Sequence, residues 1–252
     1  MTRSISLIRD SYPAFPGLDT TLARALLRSV SAGDLGETFR IYSPGRVLAF
    51  GKRDATEAGF DDAAEAARSN GYVPLVRLAG GRAAVFHEHT LAFGWTVPID
   101  NPRNGIQARF ESLAELLVRA FDRVGVTAAI GEVPGEYCPG RFSVHHDQGR
   151  KIMGVGQRLA KNAAHVGGVI VIGGAEDINA VLEPVYGALG VDFDPASTGS
   201  MRDVQPSLTL TGVSEAIVTE LAQLAEVMED TLPRSIVNAG REFLPDHLVA
   251  VT

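Results

Sequence analysis

The chain has 252 residues, 45 % of them hydrophobic and 21 % charged, which is enough for one large domain with a sizeable core. Its net charge of −7 leaves no basic excess to neutralise phosphates and argues against general nucleic-acid binding, and its single cysteine excludes an intramolecular disulfide framework and fits a reducing compartment. No run approaches the ~20 apolar residues of a membrane span, and the opening segment carries a charge inside its only short apolar run, so a soluble, cytoplasmic protein with no membrane partner is expected.

In chain order, Leu18, Leu22, Leu26 and Val30 recur at helical spacing after Pro16-Gly17, with Asp19 placed to cap. Two strand-like runs, 39–43 and 46–50, flank Pro44-Gly45 and read as a hairpin. An Ala-rich helix is predicted over 61–70. Strands follow over 73–77 and 83–87 around a Gly-Gly turn, and a third over 91–97. Phe110, Leu113, Leu117, Phe121 and Val124 mark the clearest helix. Strands are predicted at 141–145, 151–159 and 166–172, and a helix over 178–185 that Pro184 must shorten or bend. Ile217, Leu221, Leu224 and Met228 indicate a last amphipathic helix, and the residues after Pro233 read as an irregular tail.

Hairpin-like strand pairs interspersed with helices predict an α+β fold, a mixed and largely antiparallel sheet with packed helices. The stretch from Gly190 to Pro206, rich in Asp, Pro, Ser, Thr and Gly, divides a catalytic domain over 1–206 from a small helical C-terminal extension over 207–252.

Two segments carry chemistry. In the first, Cys138 lies in a turn flanked by Pro and Gly, ahead of Gly149-Arg150-Lys151-Ile152-Met153-Gly154. A thiol can hold an acyl group, and a lysine can bind the acyl carbonyl as it becomes an oxyanion. In the second, Arg77-Leu78-Ala79-Gly80-Gly81-Arg82 leads to Val85-Phe86-His87. Two glycines between arginines let the backbone approach a ligand closely, although the turn by itself reads first as a tight hairpin turn with solvated arginines. His87 and His89 fall on one face of a strand and raise a metal reading, but no cysteine cluster or helical HExxH completes a set, so no metal is expected.

Taken together, Gly80-Gly81-Arg82-Ala83 with His87, then Gly149-Arg150-Lys151-Ile152-x-Gly154 with Gln157-Arg158, then His165, resemble the lipoate–protein ligase and octanoyltransferase family. The resemblance runs from the N-terminal helix through Thr38–Tyr42 and Val47–Gly51 to about Ile172. It implies the catalytic fold of biotin and lipoate protein ligases. Ala79-Gly80-Gly81-Arg82 is closest to the Gly-Gly-Arg of the cysteine-dependent transferases, which place their nucleophile ahead of the motif lysine, as Cys138 is placed here.

The resemblance implies Cys138 and Lys151 as catalytic residues. Arg77, Gly80, Gly81, Arg82, His87, Gly154 and His165 are implied around the acyl substrate, with Val85, Ile152 and Val155 walling its tunnel. Cations at Arg141 and Lys151 are the candidates to lower the thiol pKa. The activity implied is transfer of an octanoyl or lipoyl group from an acyl-carrier donor or a lipoylated protein to a lysine of a lipoyl domain, with no added cofactor. Two alternatives stay open: an ATP- and Mg-dependent ligase acting through lipoyl-adenylate, and a binding module that holds an acyl carrier without turnover.

Overall fold

A computed structural model describes residues 3–250. Its strands are β1 (Ser4–Ile8), β2 (Thr38–Tyr42), β3 (Val47–Phe50), β4 (Val73–Val76), β5 (Ala84–Phe86), β6 (Thr90–Pro98), β7 (Ala128–Ile130), β8 (Val144–His146), β9 (Lys151–Leu159), β10 (Ala163–Val171) and β11 (Glu226–Asp230). Its helices are α1 (Leu18–Ala32), α2 (Phe60–Ser69), α3 (Ile106–Arg123), α4 (Ala175–Leu189), α5 (Leu210–Leu221) and α6 (Arg234–Phe243).

Eight strands form one sheet in the order β11-β1-β2-β6-β10-β9-β8-β7, and three form a second in the order β4-β3-β5. In the large sheet β1 runs parallel to both β11 and β2, and every other pairing is antiparallel. The expected α+β class, a mixed and largely antiparallel sheet with packed helices, is the one observed.

The main core lies under the large sheet, where Phe39, Phe93 and Trp95 meet Leu113, Leu117 and Phe121 of α3 and Ile217 and Leu221 of α5. A second core joins the small sheet to α2 and α4 through Phe50, Ala64, Val85, Val181 and Val185. The turn between β4 and β5 of the small sheet approaches β9 of the large one, Ala79 and Gly80 lying against Gly156.

Helices α1 and α3 and strands β6, β9 and β10 fall where their apolar residues place them, whereas α4 runs from Ala175 to Leu189 with Pro184 inside it, longer than the 178–185 expected. Other expectations are corrected. The runs 39–43 and 46–50 are not a hairpin: β2 pairs with β1 and β6, whereas β3 lies between β4 and β5 in the small sheet. The strands on either side of the Gly-Gly turn likewise do not pair with each other, since β3 separates them. Asp19 does not cap α1; Gly17 holds that position, and the Asp19 carboxylate is buried in an ion pair with Arg40.

The segment 207–252 is not set apart as a small helical extension. Its α5 shares the main core, β11 extends the large sheet beside β1, and α6 packs on α1. Leu224 and Met228 follow α5 at helical spacing, yet they lie outside the helix and are exposed, because α5 stops at Leu221 and the chain extends into an edge strand. The tail after Pro233 is a helix with a single-sided apolar face, Ile236 and Gly240 being its buried residues.

Candidate functional site

A cleft of about 430 Å³ opens where the turn between β4 and β5 meets the loop before β8. Gly80, Gly81, Cys138, Val155 and Gly156 line it on one part, and Ile106, Phe110, Arg141 and Phe142 on another. Phe110 and Phe142 stack with centroids 5.1 Å apart and planes 11° from parallel. Cys138 reaches the cleft partly exposed.

The sulfur of Cys138 accepts hydrogen bonds from Arg77 Nη2 (3.1 Å) and from the Arg82 backbone N–H (3.3 Å). Gly81 permits this approach. It has a φ of +100°, and a Cβ there would collide with the Arg77 guanidinium and lie 2.7 Å from the Cys138 sulfur. Burial pushes the Cys138 thiol up, but the nearby Arg77 and Lys151 cations, with the two hydrogen bonds, more than offset it and hold the thiol below its ordinary value. Cys138 also has a φ of +43°, the only positive φ of a non-glycine among the described residues, a conformation that costs about 1–2 kcal/mol and needs its surroundings to maintain it.

Lys151 begins β9 and is fully buried. Its ammonium donates to the carbonyls of Tyr137 (2.8 Å) and Cys138 (2.9 Å) and pairs with Glu136 Oε1 (3.2 Å), so its three protons have three acceptors. Burial pulls its pKa down, opposed by Cys138 and Glu136. Glu136, also buried, accepts from the N–H groups of Val133 (3.1 Å) and Gly140 (2.9 Å) and from the Ser143 hydroxyl (2.6 Å). One carboxylate thus organises the whole Cys138 loop.

Arg82 turns its guanidinium away, to Asp54 (2.9 Å) and Glu57 (2.8 Å), and offers the thiol only its backbone N–H. Gly154 lies beside the Lys151 stem, where a Cβ would be 3.4 Å from Cε. His165 sits with Arg77, Tyr42 and Phe93 around a small neighbouring hollow of about 60 Å³ and hydrogen-bonds Thr96 (2.9 Å). Burial, with Arg40 adding to it, pushes its pKa down to about 4, so its ring is neutral near pH 7. His87 lines neither space. It packs at Gly174, with its pKa pushed down to about 4 chiefly by burial.

The structure therefore brings together Cys138, Lys151, Arg77, Gly80, Gly81 and the Arg82 backbone, with Gly154 behind them; His165 is adjacent and His87 remote. Of the tunnel residues expected, Val155 lines the cleft, whereas Ile152 and Val85 are buried in separate cores. The cations that act on the thiol are Arg77 and Lys151; Arg141 lies over Phe142 at the cleft wall. Glu136 and Tyr186 escaped the sequence reading. A Glu two residues before a Cys in a Pro-Gly turn is a signal that was available for the first; no local signal marks the second. His87 and His89 stack edge to face at 5.8 Å, and no group of three or more metal-binding side chains occurs among the described residues.

Arg77, Arg82 and Lys151 are each engaged with protein acceptors. No helix among the described residues is long and apolar enough to cross a membrane.

The family model for the lipoyl protein ligase A/B catalytic domain matches residues 17–222. The chain belongs to this family. It is 26 % identical over 221 residues to an octanoyl-[GcvH]:protein N-octanoyltransferase of Exiguobacterium sibiricum, covering 86 % of this chain and 77 % of the relative. It is 27 % identical over 156 residues to a lipoyl-[GcvH]:protein N-lipoyltransferase of Listeria monocytogenes, covering 62 % and 54 %. Lipoate-protein ligase A bound with ATP superposes with a TM-score of 0.79 at 18 % identity, covering 96 % of this chain and 95 % of that one. A putative lipoate protein ligase of T. acidophilum with bound lipoic acid gives 0.77 at 18 %, covering 97 % and 96 %. At these identities the structural likeness shows the fold. The family and the transferase relatives make this an acyl-handling protein of the octanoyl and lipoyl transferase type.

Proposed function

We propose that this member of the family transfers an octanoyl or lipoyl group to a lysine of a lipoyl domain through an acyl-Cys138 intermediate. The observation that carries the reading is the thiol itself: Cys138 borders the cleft with Arg77 Nη2 and the Arg82 N–H directed at its sulfur. The names of the transferase relatives, which specify GcvH as acyl source and a protein as acceptor, support the same reading.

In the first step the Cys138 thiolate attacks the acyl carbonyl of the donor. The carbonyl π electrons move onto oxygen, and collapse of the tetrahedral adduct expels the donor's thiol or amine, which takes up a proton. In the second step the acceptor lysine, as a free amine, attacks the acyl-Cys138 thioester, loses a proton and expels the thiolate. No bond is oxidised or reduced and no nucleotide is consumed. The Arg82 N–H, Arg77 and Lys151 are the donors placed to stabilise charge, on sulfur before attack and on oxygen during it, provided Lys151 exchanges one of its carbonyl partners for the oxyanion.

The test is intact-mass analysis after mixing the protein with an octanoyl-loaded lipoyl-domain donor and an apo lipoyl domain. An acyl adduct on Cys138 that is chased onto the acceptor, and that is lost in Cys138→Ala, is expected. Modification that requires free lipoate and ATP and survives Cys138→Ala overturns the transferase reading in favour of a ligase.

A further inference from the structure

Cys138 is held by its backbone as well as by its sulfur. Its left-handed φ persists only while both of its peptide groups are anchored, and two side chains from distant segments supply the anchors. On one side Lys151 donates to the Cys138 carbonyl (2.9 Å). On the other, the Cys138 N–H donates to the Tyr186 hydroxyl (2.7 Å), which in turn donates to the Ala83 carbonyl (3.0 Å). Ala83 directly follows Arg82, whose N–H reaches the sulfur. A single phenol oxygen thus bridges the cysteine loop and the Gly-Gly-Arg turn at the point where they face each other.

Tyr186 comes from α4 and is only 1 % exposed. It does not line the cleft, so it cannot meet the acyl group. Phe193 packs on its ring, with centroids 5.2 Å and planes 47° apart. Burial holds the phenol protonated well beyond its ordinary range, so the hydroxyl keeps both hydrogen bonds wherever a thiolate can form.

We propose that Tyr186 is a positioning residue for the thiol: its hydroxyl spaces the Cys138 N–H from the Ala83 carbonyl and so holds the sulfur within reach of Arg77 and the Arg82 N–H. The assignment rests on the reading of Cys138 as the acyl-carrying residue. The charged and titratable groups facing the sulfur are Arg77, Lys151, Tyr137 and Tyr186, with Glu136 behind Lys151 and Asp54 behind Arg82. Tyr186 is uncharged, so a change in thiol ionisation on losing its hydroxyl reports a change of geometry rather than of charge.

Alkylation of Cys138, the only cysteine in the chain, by iodoacetamide as a function of pH tests this without any acyl donor. Tyr186→Phe is expected to move the midpoint of the profile up by about one pH unit and to slow octanoyl transfer about tenfold with the acceptor KM unchanged. A lowered melting temperature with the alkylation profile and the transfer rate both unchanged overturns the proposal and leaves Tyr186 a packing residue. Should Tyr186→Phe fail to fold, Phe193→Leu decides, since it loosens the ring but keeps the hydroxyl. The same upward shift, at about half the size, is expected, and no shift overturns the proposal. A shifted profile in a protein whose wild type forms no acyl-Cys138 supports the positioning of the thiol while overturning the transferase reading, so the two failures are distinct.

Discussion

Lys151 and Glu136 meet with both side chains fully buried, the ammonium satisfied by two carbonyls and the carboxylate by two N–H groups and a hydroxyl. Such a pair contributes little net stability while intact, but removing one member strands the other. Lys151→Met is therefore expected to cost about 3–5 kcal/mol in urea unfolding, and Lys151→Met with Glu136→Gln distinctly less than the sum of the single changes. Full additivity would show that the two charges do not depend on each other. His165 and His87 give a second expectation. Both are held neutral, with pKa values near 4 against an ordinary value of 6.5. As pH falls below 6.5 the unfolded chain gains these protons and the folded one does not. Stability is therefore lost between about pH 6.5 and pH 4, at up to about 1.4 kcal/mol per pH unit for each histidine, and levels off below. Melting temperatures across that window check it, and His165→Gln is expected to flatten the slope. At this level Cys138 and Lys151 were legible, because Gly and Pro bracket them and a nucleophile ahead of a motif lysine has a chemical rationale. Glu136 and Tyr186 were not, since a buried carboxylate and a core tyrosine take their meaning only from the loops that fold onto them.

The strands that carry the site depend on close backbone approach. β9 and β10 pair through Gly154, Gly156, Gly167 and Gly168, and a Cβ on Gly168 would collide with the Gly154 carbonyl and lie 2.9 Å from the Phe93 ring. Gly154 in turn sits beside the Lys151 stem. Gly168→Ala is expected to destabilise the fold by about 1–3 kcal/mol through forced strand displacement and to reduce transfer more than its stability loss explains. Thermal melts beside single-turnover acyl transfer measure both, and a neutral variant would show that the strands tolerate separation. The glycines were visible as strand interruptions, and β9 and β10 were found nonetheless, because Ile152, Val155, Val166, Val169, Ile170 and Val171 around them are β-branched and run at strand length. The hairpin expected at Pro44-Gly45 failed for a different reason. Turn residues say that the chain bends, not which neighbour the next strand will meet, and Val47–Phe50, buried along its whole length, found both its partners elsewhere.

The two ends of the chain close the molecule on itself. β11 pairs with β1 over five residues, and α6 lies on α1 with Ile236 beside Leu18, Leu22 and Leu26. Ending the chain after Ala222 removes both, exposing the β1 edge and the apolar face of α1. Such a truncation is expected to lose cooperative thermal unfolding and to elute as aggregate in size exclusion, even though it retains the whole segment matched by the family. A truncated chain that melts sharply as a monomer would instead leave the C-terminal segment an extension of an independently folding domain. What the sequence determined by itself was the α+β class, the long helices, the central strands and the pairing of a thiol with a Gly-bracketed lysine, because periodicity and local backbone demands are written in neighbouring residues. Only the tertiary structure decided which sheet each short strand joins, that Arg77 rather than Arg141 faces the sulfur, and that Glu136 and Tyr186 hold the loop. Those choices depend on burial and on contacts between residues far apart in the chain, where the cost of an unpaired polar group is set by neighbours that local sequence does not name.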